Sequence, residues 1–365
     1  MKPTAPEYFN IIPPYVPGKP MEELEREYGI KDSIKLASNE NPHGPSPKAM
    51  EAVKHALTNL HRYPDGAAPE LMESIASKMG CQTSQIVLGN GSDEVIDMLA
   101  KVYLNAGDEA LMTEPSFMMY SISALAQGAK AVKIPLTQDY RHDFDALAKA
   151  VTDKTKIIFL NSPQNPSGTV ITKEEFEPFL EKVDPSILIV MDEAYIEFNR
   201  NSEAVIGLDY LNGDHTVVTL RTFSKLYGLA GLRIGFGVMP EHASQMLNRI
   251  RPPFNINIPA QVAALAALSD SEFVEKTLET VHNGLDYLFD ALKEMDVVCY
   301  PTQTNFFMID LKRDAKAVYE ALLYKGVIIR PLGSYGFDNH IRVTVGLPQE
   351  NERFVKALKD VMTGS

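Results

Sequence analysis

Short apolar runs alternate with stretches of helical period through the middle of the chain. Ile86-Val87-Leu88, Ala110-Leu111-Met112, 156–160, 187–191, 217–220 and 234–238 are dense in aliphatic side chains and bounded by turn residues. Such runs suit strands buried on both faces. Helical patterns follow the first two, over 93–103 and 116–126, and another covers 46–57. Strand and helix repeating in this order predict an α/β fold, a mostly parallel sheet with helices on both faces. Beyond Pro259 the pattern changes. A long helical stretch over 271–295 leads to apolar runs at 297–300 and 305–310, a helix over 315–325, strands at 327–330 and 341–345, and a last helix. That tail predicts a smaller α+β domain. Residues 3–20 hold six prolines and no periodic apolar pattern, which predicts an extended arm. The expected organisation is an N-terminal arm and part of the small domain over 1–45, a large domain over 46–255, and the small C-terminal domain over 256–365.

Composition narrows the classes. At 365 residues with 45% hydrophobic and 23% charged residues, the chain is an ordinary globular one. A formal net charge of −13 argues against nucleic acid as a partner, although a few arginines can still build a local anion pocket. Cys81 and Cys299 have neither metal-ligand spacing nor a disulfide framework, so reduced thiols and no metal are expected. The first twenty residues lack the apolar core of a signal peptide. The apolar stretch at 262–268 is far short of the ~20 residues that span a bilayer. A soluble, cytoplasmic protein with no membrane contact is expected.

The chemistry concentrates where predicted strands end, the edge at which open α/β sheets bind ligands. Lys225 follows the run at 217–220, with Ser224 before it and Gly228, Gly231 and Arg233 after it. A lysine amine there can form a Schiff base with an aldehyde while Ser224 and Arg233 hold an anion on the same molecule, a combination that fits pyridoxal phosphate. Gly89-Asn90-Gly91-Ser92-Asp93-Glu94 enters a helix and offers backbone N–H groups to a phosphate. A plain capping turn, or the start of a dinucleotide fingerprint whose third glycine is replaced by Glu94, are the alternatives for that segment. Phe117 could stack on a planar heterocycle or be an ordinary core aromatic. The turns in Asn161-Ser162-Pro163-Gln164-Asn165-Pro166 can aim the Asn165 amide at a phenolate oxygen, though they are also common turn formers. Asp192, at the mouth of the run 187–191, can keep a pyridine nitrogen protonated, and Tyr195 can hydrogen-bond the ring oxygen. An N-cap role is the alternative for Asp192.

In this order the segments resemble the fold-type-I pyridoxal-phosphate aminotransferases of class I/II, and the histidinol-phosphate aminotransferase family in particular. Features of that branch are Ala37-Ser38-Asn39-Glu40-Asn41-Pro42-His43-Gly44-Pro45-Ser46, Arg62-Tyr63-Pro64, Gly91-Ser92-Asp93-Glu94 and Ile341-Arg342-Val343-Thr344-Val345-Gly346. The resemblance runs from about residue 15 to the C-terminus. It implies a catalytic Lys225 bearing the cofactor, with Ser92, Asp93, Ser224 and Arg233 around its phosphate. Phe117 would cover the ring, and Asn165, Asp192 and Tyr195 would meet its oxygen and nitrogen. Tyr63 would reach the phosphate of the neighbouring subunit, which implies a homodimer with shared sites. Arg342 would bind the carboxylate of glutamate or 2-oxoglutarate, and Arg330 and Tyr15 a distal substrate phosphate.

The reaction so implied converts histidinol phosphate and 2-oxoglutarate to imidazole acetol phosphate and glutamate, in histidine biosynthesis. Rivals on the same core are an aromatic amino acid aminotransferase and a threonine-phosphate-type decarboxylase. A catalytically silent cofactor-binding protein would not need Lys225 and Asp192 together, and a nicotinamide oxidoreductase would leave the lysine segment without a role.

Overall fold

The computed structural model describes residues 4–14 and 18–364. Its main sheet has seven strands: β2 (Ile86–Gly89), β3 (Glu109–Glu114), β4 (Lys130–Pro135), β5 (Thr155–Asn161), β6 (Leu188–Asp192), β7 (Val217–Thr222) and β8 (Gly235–Val238), while a separate β1 (Ile34–Lys35) precedes them. Their order is β2-β8-β7-β6-β5-β3-β4. Pairing is antiparallel only where β8 meets β2 and β7 and parallel elsewhere. The α/β expectation is met. Strands β6 and β7 are buried at every position, as a sheet covered on both faces requires. Strand β4 was not foreseen in the sequence. It is an edge strand whose Lys130 and Lys133 face outward, and such charges hide a strand from an apolar-run criterion while guarding the edge.

The helices are α1 (Met21–Tyr28), α2 (Pro47–Ala56), α3 (Pro69–Met79), α4 (Ser92–Tyr103), α5 (Met118–Ala126), α6 (Phe144–Ala150), α7 (Lys173–Leu180), α8 (Glu241–Ile250), α9 (Ile258–Leu268), α10 (Ser271–Lys293), α11 (Ala315–Tyr324) and α12 (Pro348–Thr363). Their starts are locally encoded. Ser46 caps α2 by accepting from Ala49 N at 3.3 Å, with Pro47 at the first helical position. Thr172 and Glu175 form a capping box on α7. Helix α5 begins two residues later than expected, because Phe117 has extended backbone angles and serves as its N-cap residue.

A second sheet, ordered β12-β13-β10-β9, contains β9 (Val298–Cys299), β10 (Phe306–Asp310), β12 (Arg330–Pro331) and β13 (His340–Thr344). The single strand expected over 327–330 is instead two. β11 (Val327–Ile328) pairs with β1, and β12 pairs with β13. Pro331 has no N–H to donate, which confines β12 to a sheet edge. The β1–β11 pairing ties residues 34–35 to the C-terminal part of the chain, and α9 packs on α2 and α3. Within the expected arm, Glu7–Ile11 forms a 3-10 turn and is not extended. Among the described residues no helix is long and apolar enough to cross a membrane.

Candidate active site

The C-terminal ends of β2, β3, β5, β6 and β7 lie along one edge of the main sheet, since these strands run in the same direction. Asn161 and Asp192 are neighbours across β5 and β6, and Asp192 pairs with Leu220 on β7. A cavity of about 230 Å³ opens there. Ser92, Asp93, Phe117, Asn165, Asp192, Tyr195, Ser224, Lys225 and Arg233 all line it. Residues read from five separate segments thus converge on one space.

At its anion end, Gly91 has φ +80°, and a Cβ there would lie 2.5 Å from Arg233 Nη2. A Cβ on Gly235 would lie 2.5 Å from Ser92 N. Both glycines therefore keep the start of α4 and the Arg233 guanidinium open to a ligand. Arg233 Nη2 donates to Asp93 Oδ2 at 3.1 Å. Glu94, in place of a third glycine, accepts from Asn90 N at 2.7 Å and from Asn255 Nδ2 at 2.6 Å. That carboxylate braces the turn, which accounts for the broken dinucleotide pattern. Thr222 Oγ1 accepts from Ser224 N at 3.1 Å and donates to Ser224 Oγ at 3.0 Å, fixing the residue before the lysine.

Lys225 Nζ donates to the Ser38 carbonyl at 3.2 Å and stands 5.7 Å from the centre of the Tyr195 ring. Burial, with the Arg342 charge nearby, lowers its amine to about 8. Gly228, at φ +67°, lets the lysine loop close against the Gly44 carbonyl; any side chain there would collide with it. Asp192 is buried at 6% exposure, and its donors are neutral: Tyr120 Oη to Oδ2 at 2.6 Å and Ala194 N to Oδ1 at 3.1 Å. Burial raises its carboxyl to about 6. Tyr195 Oη accepts from Asn39 Nδ2 at 2.9 Å, and burial pushes its phenol up from the usual range.

Asn165 Oδ1 accepts from Arg342 Nη1 at 2.6 Å. This orients the Asn165 amide so that its N–H groups remain as donors. Arg342 Nη2 donates to the Ala37 carbonyl at 2.8 Å, and its guanidinium carbon lies 5.1 Å from the centre of the Phe306 ring. A second recess, contiguous through Phe117, Asn165, Tyr195 and Lys225, is lined by Ser38, Arg330, Tyr335 and Arg342. Arg330 and Arg342 are register partners on β12 and β13. Two cationic side chains side by side on a sheet repel one another, and an anionic ligand offsets that.

Two expected residues stand apart. Tyr63 is 82% exposed and stacks on Phe254, with ring centres 4.8 Å apart; it does not line this chain's cavity. Tyr15 lies outside the described residues. Sequence reasoning missed Tyr120, Asn39, Thr222 and the carbonyls of Ala37 and Ser38. Tyr120 stands within the helical stretch read over 116–126, and nothing in the local pattern singles out its hydroxyl. Asn39 takes φ +55°, a conformation asparagine tolerates, and only the tertiary fold brings it to Tyr195.

The family model described as "Aminotransferase class I and II" matches residues 31–358. The chain belongs to the class I and II aminotransferases. It is 44% identical over 361 residues to the histidinol-phosphate aminotransferase of Moorella thermoacetica, covering 99% of this chain and 93% of the relative. The enzyme of the same name from Desulfotalea psychrophila is 45% identical over 365 residues, covering 99% and 96%. Among solved structures, the histidinol-phosphate aminotransferase of Sinorhizobium meliloti in complex with pyridoxal-5'-phosphate superposes with a TM-score of 0.90 at 26% identity. It covers 98% of this chain and 97% of that one. This aminotransferase therefore shares both fold and sequence with enzymes named for one substrate.

Proposed function

We propose that the protein is a cytoplasmic, pyridoxal-phosphate-dependent aminotransferase acting on histidinol phosphate and 2-oxoglutarate. The observation that carries the reading is geometric: the half-buried Lys225 side chain lines one cavity together with the buried Asp192 carboxylate and with Ser92, Ser224 and Arg233 at its anion end. These residues fit pyridoxal phosphate. Gly91 and Gly235 leave room at the α4 N-terminus and Arg233 for the phosphate. Asp192, with only neutral donors of its own, suits a cationic ring nitrogen. Asn165 and Tyr195 can hydrogen-bond the ring oxygen, and Phe117 can cover the ring. The same proposal keeps the expected division of the chain, with an N-terminal arm and part of the small domain over 1–45, a cofactor-binding domain over 46–255 and a small domain over 256–365.

When bound, pyridoxal phosphate supplies an aldehyde that captures amines and a cationic ring that accepts electrons from a broken Cα–H bond. The chain supplies the rest. Lys225 Nζ would hold the cofactor and, once free, would serve as the base that takes the substrate's α proton and the acid that returns it. Asp192 would keep the ring nitrogen protonated. Arg342 presents a planar fork to the α-carboxylate of glutamate or 2-oxoglutarate, and Arg330 meets the distal phosphate of histidinol phosphate.

An amine titrating at about 8 fixes a pH dependence. The group is depressed from 10.5, so the free base dominates above pH 8 and declines below it. Cofactor capture by the apo-protein, followed by rapid mixing, should slow about tenfold per pH unit below 8 and level off above it. A rise continuing to pH 10 would contradict the assigned environment of Lys225.

Substrate choice is tested by pairing a phosphorylated with an unphosphorylated amine. Arg330→Gln should lower kcat/KM for histidinol phosphate by roughly ten- to a hundredfold, the worth of a charged hydrogen bond. It should leave histidinol or phenylalanine within about threefold of wild type. Equal losses on both would make Arg330 structural.

The homodimer is part of the same proposal. Tyr63 and Phe254 present a stacked pair at the surface beside exposed Leu57 and Leu60, an apolar patch suited to a second copy. If Tyr63 completes the partner's site, mixing inactive Lys225→Ala with impaired Tyr63→Ala should restore activity to roughly one quarter, since half the dimers are hybrids with one intact site. Absence of any recovery under subunit exchange would count against shared sites.

A further inference from the structure

Tyr120 lines the cavity but has no role in the proposed reaction. Tyr120 is completely buried, and its phenol donates to Asp192 Oδ2 at 2.6 Å. The ring has no freedom to leave. It stacks flat on Phe159 of β5, with centres 4.9 Å apart and planes 3° from parallel, and it takes the edge of Phe117 at 5.6 Å and 83°. One side chain thus touches both the carboxylate assigned to the ring nitrogen and the aromatic assigned to cover the ring. The other Asp192 oxygen is set by the backbone, through Ala194 N. Two fixed donors on two different oxygens leave the carboxylate a single orientation.

We propose that Tyr120 is a positioning residue that holds the Asp192 carboxylate in one orientation and keeps it ionised, and so sets how firmly the cofactor ring is bound and polarised. The proposal rests on the pyridoxal-phosphate reading above. A buried carboxylate drifts toward its neutral form unless donors hold the charge. Burial does push Asp192 up, and the Asp93 charge adds to that; the Tyr120 hydroxyl, Ala194 N–H and Lys225 pull the other way. Tyr120 itself stays a donor throughout the working range, because burial and the adjacent Asp192 carry its phenol well above the usual value, with Tyr195 and Asp93 acting in the same direction. Phenylalanine at this position would keep both ring contacts and remove only the hydroxyl.

The test is the dissociation constant of pyridoxal phosphate for the apo-protein between pH 5 and 8, together with kcat and KM, in wild type, Tyr120→Phe, Asp192→Asn and the double variant. Tyr120→Phe is expected to weaken the cofactor roughly tenfold, the worth of a hydrogen bond to a charged group. Both proteins lose affinity below pH 8 as Lys225 takes a proton; losing a donor also raises the proton affinity of Asp192, so the gap between wild type and Tyr120→Phe should widen further between about pH 7 and pH 6. The kcat should fall while KM for the keto acid stays within about twofold. In the Asp192→Asn background the same substitution should change affinity less than about twofold, because no charge remains to be held. A gap between wild type and Tyr120→Phe that stays constant from pH 8 to pH 5, or an equal loss in the Asp192→Asn background, would overturn the proposal and leave Tyr120 a packing residue. Wild-type protein that failed to bind pyridoxal phosphate would overturn the cofactor reading itself, and this proposal with it.

Discussion

Lys225→Ala is expected to lose the covalent hold on the cofactor and nearly all turnover. Removal of the proton-transferring group alone costs on the order of 10²–10⁴ in rate, and the missing amine also removes the exchange by which substrate enters. The cavity should survive. Among the described residues the Lys225 side chain makes one hydrogen bond, to the Ser38 carbonyl, and desolvation holds its amine below its ordinary value, so truncation relieves an unfavourable environment. The variant should therefore fold, bind pyridoxal phosphate reversibly through the anion seat, and lack the absorbance of the lysine-linked cofactor. Steady-state kinetics and borohydride trapping check both parts. Wild-type turnover in this variant would show that another group moves the proton.

Asp192→Asn is the second large effect. The amide is nearly the same shape but carries no charge, so the ring nitrogen loses the partner that keeps it protonated. Removing one preorganised electrostatic contact of this kind costs roughly 10²–10³ in kcat. In the proposed reading substrate carboxylate binding would rest on Arg342, which is hydrogen-bonded to Asn165 and the Ala37 carbonyl. KM for 2-oxoglutarate should therefore move little. A kcat within about twofold of wild type would remove Asp192 from the mechanism.

Much of this site could be read from the chain because its residues sit at strand ends, where local pattern and function coincide. Lys225, Asp192 and Asn165 each follow a dense apolar run, and the sheet places the ends of those strands side by side. The parallel register of β5, β6 and β7 then aligns positions that are far apart in sequence. What stayed hidden depends on contacts that no local pattern encodes. The carbonyls of Ala37 and Ser38 act through the backbone, so their side chains give no signal. The Arg342–Asn165 bond joins two segments 177 residues apart. Tyr120 looked like one more apolar helix position, and its hydroxyl gains meaning only against Asp192. Strand β4 was obscured by its lysines, and the run at 327–330 was divided because the chain changes sheets at Ile329. Phe117 also bears on specificity. Without a hydroxyl it would offer no polar contact to substrate, and in the proposed reading the preference for histidinol phosphate over aromatic amino acids would rest on Arg330.

The most direct measurement is a single turnover. Cofactor-loaded protein mixed with stoichiometric histidinol phosphate should show rapid loss of the lysine-linked cofactor absorbance and appearance of its amine form, and 2-oxoglutarate should reverse the change. No change with histidinol phosphate, together with a fast one on adding phenylalanine or tyrosine, would contradict the assignment and place the chain among the aromatic amino acid aminotransferases.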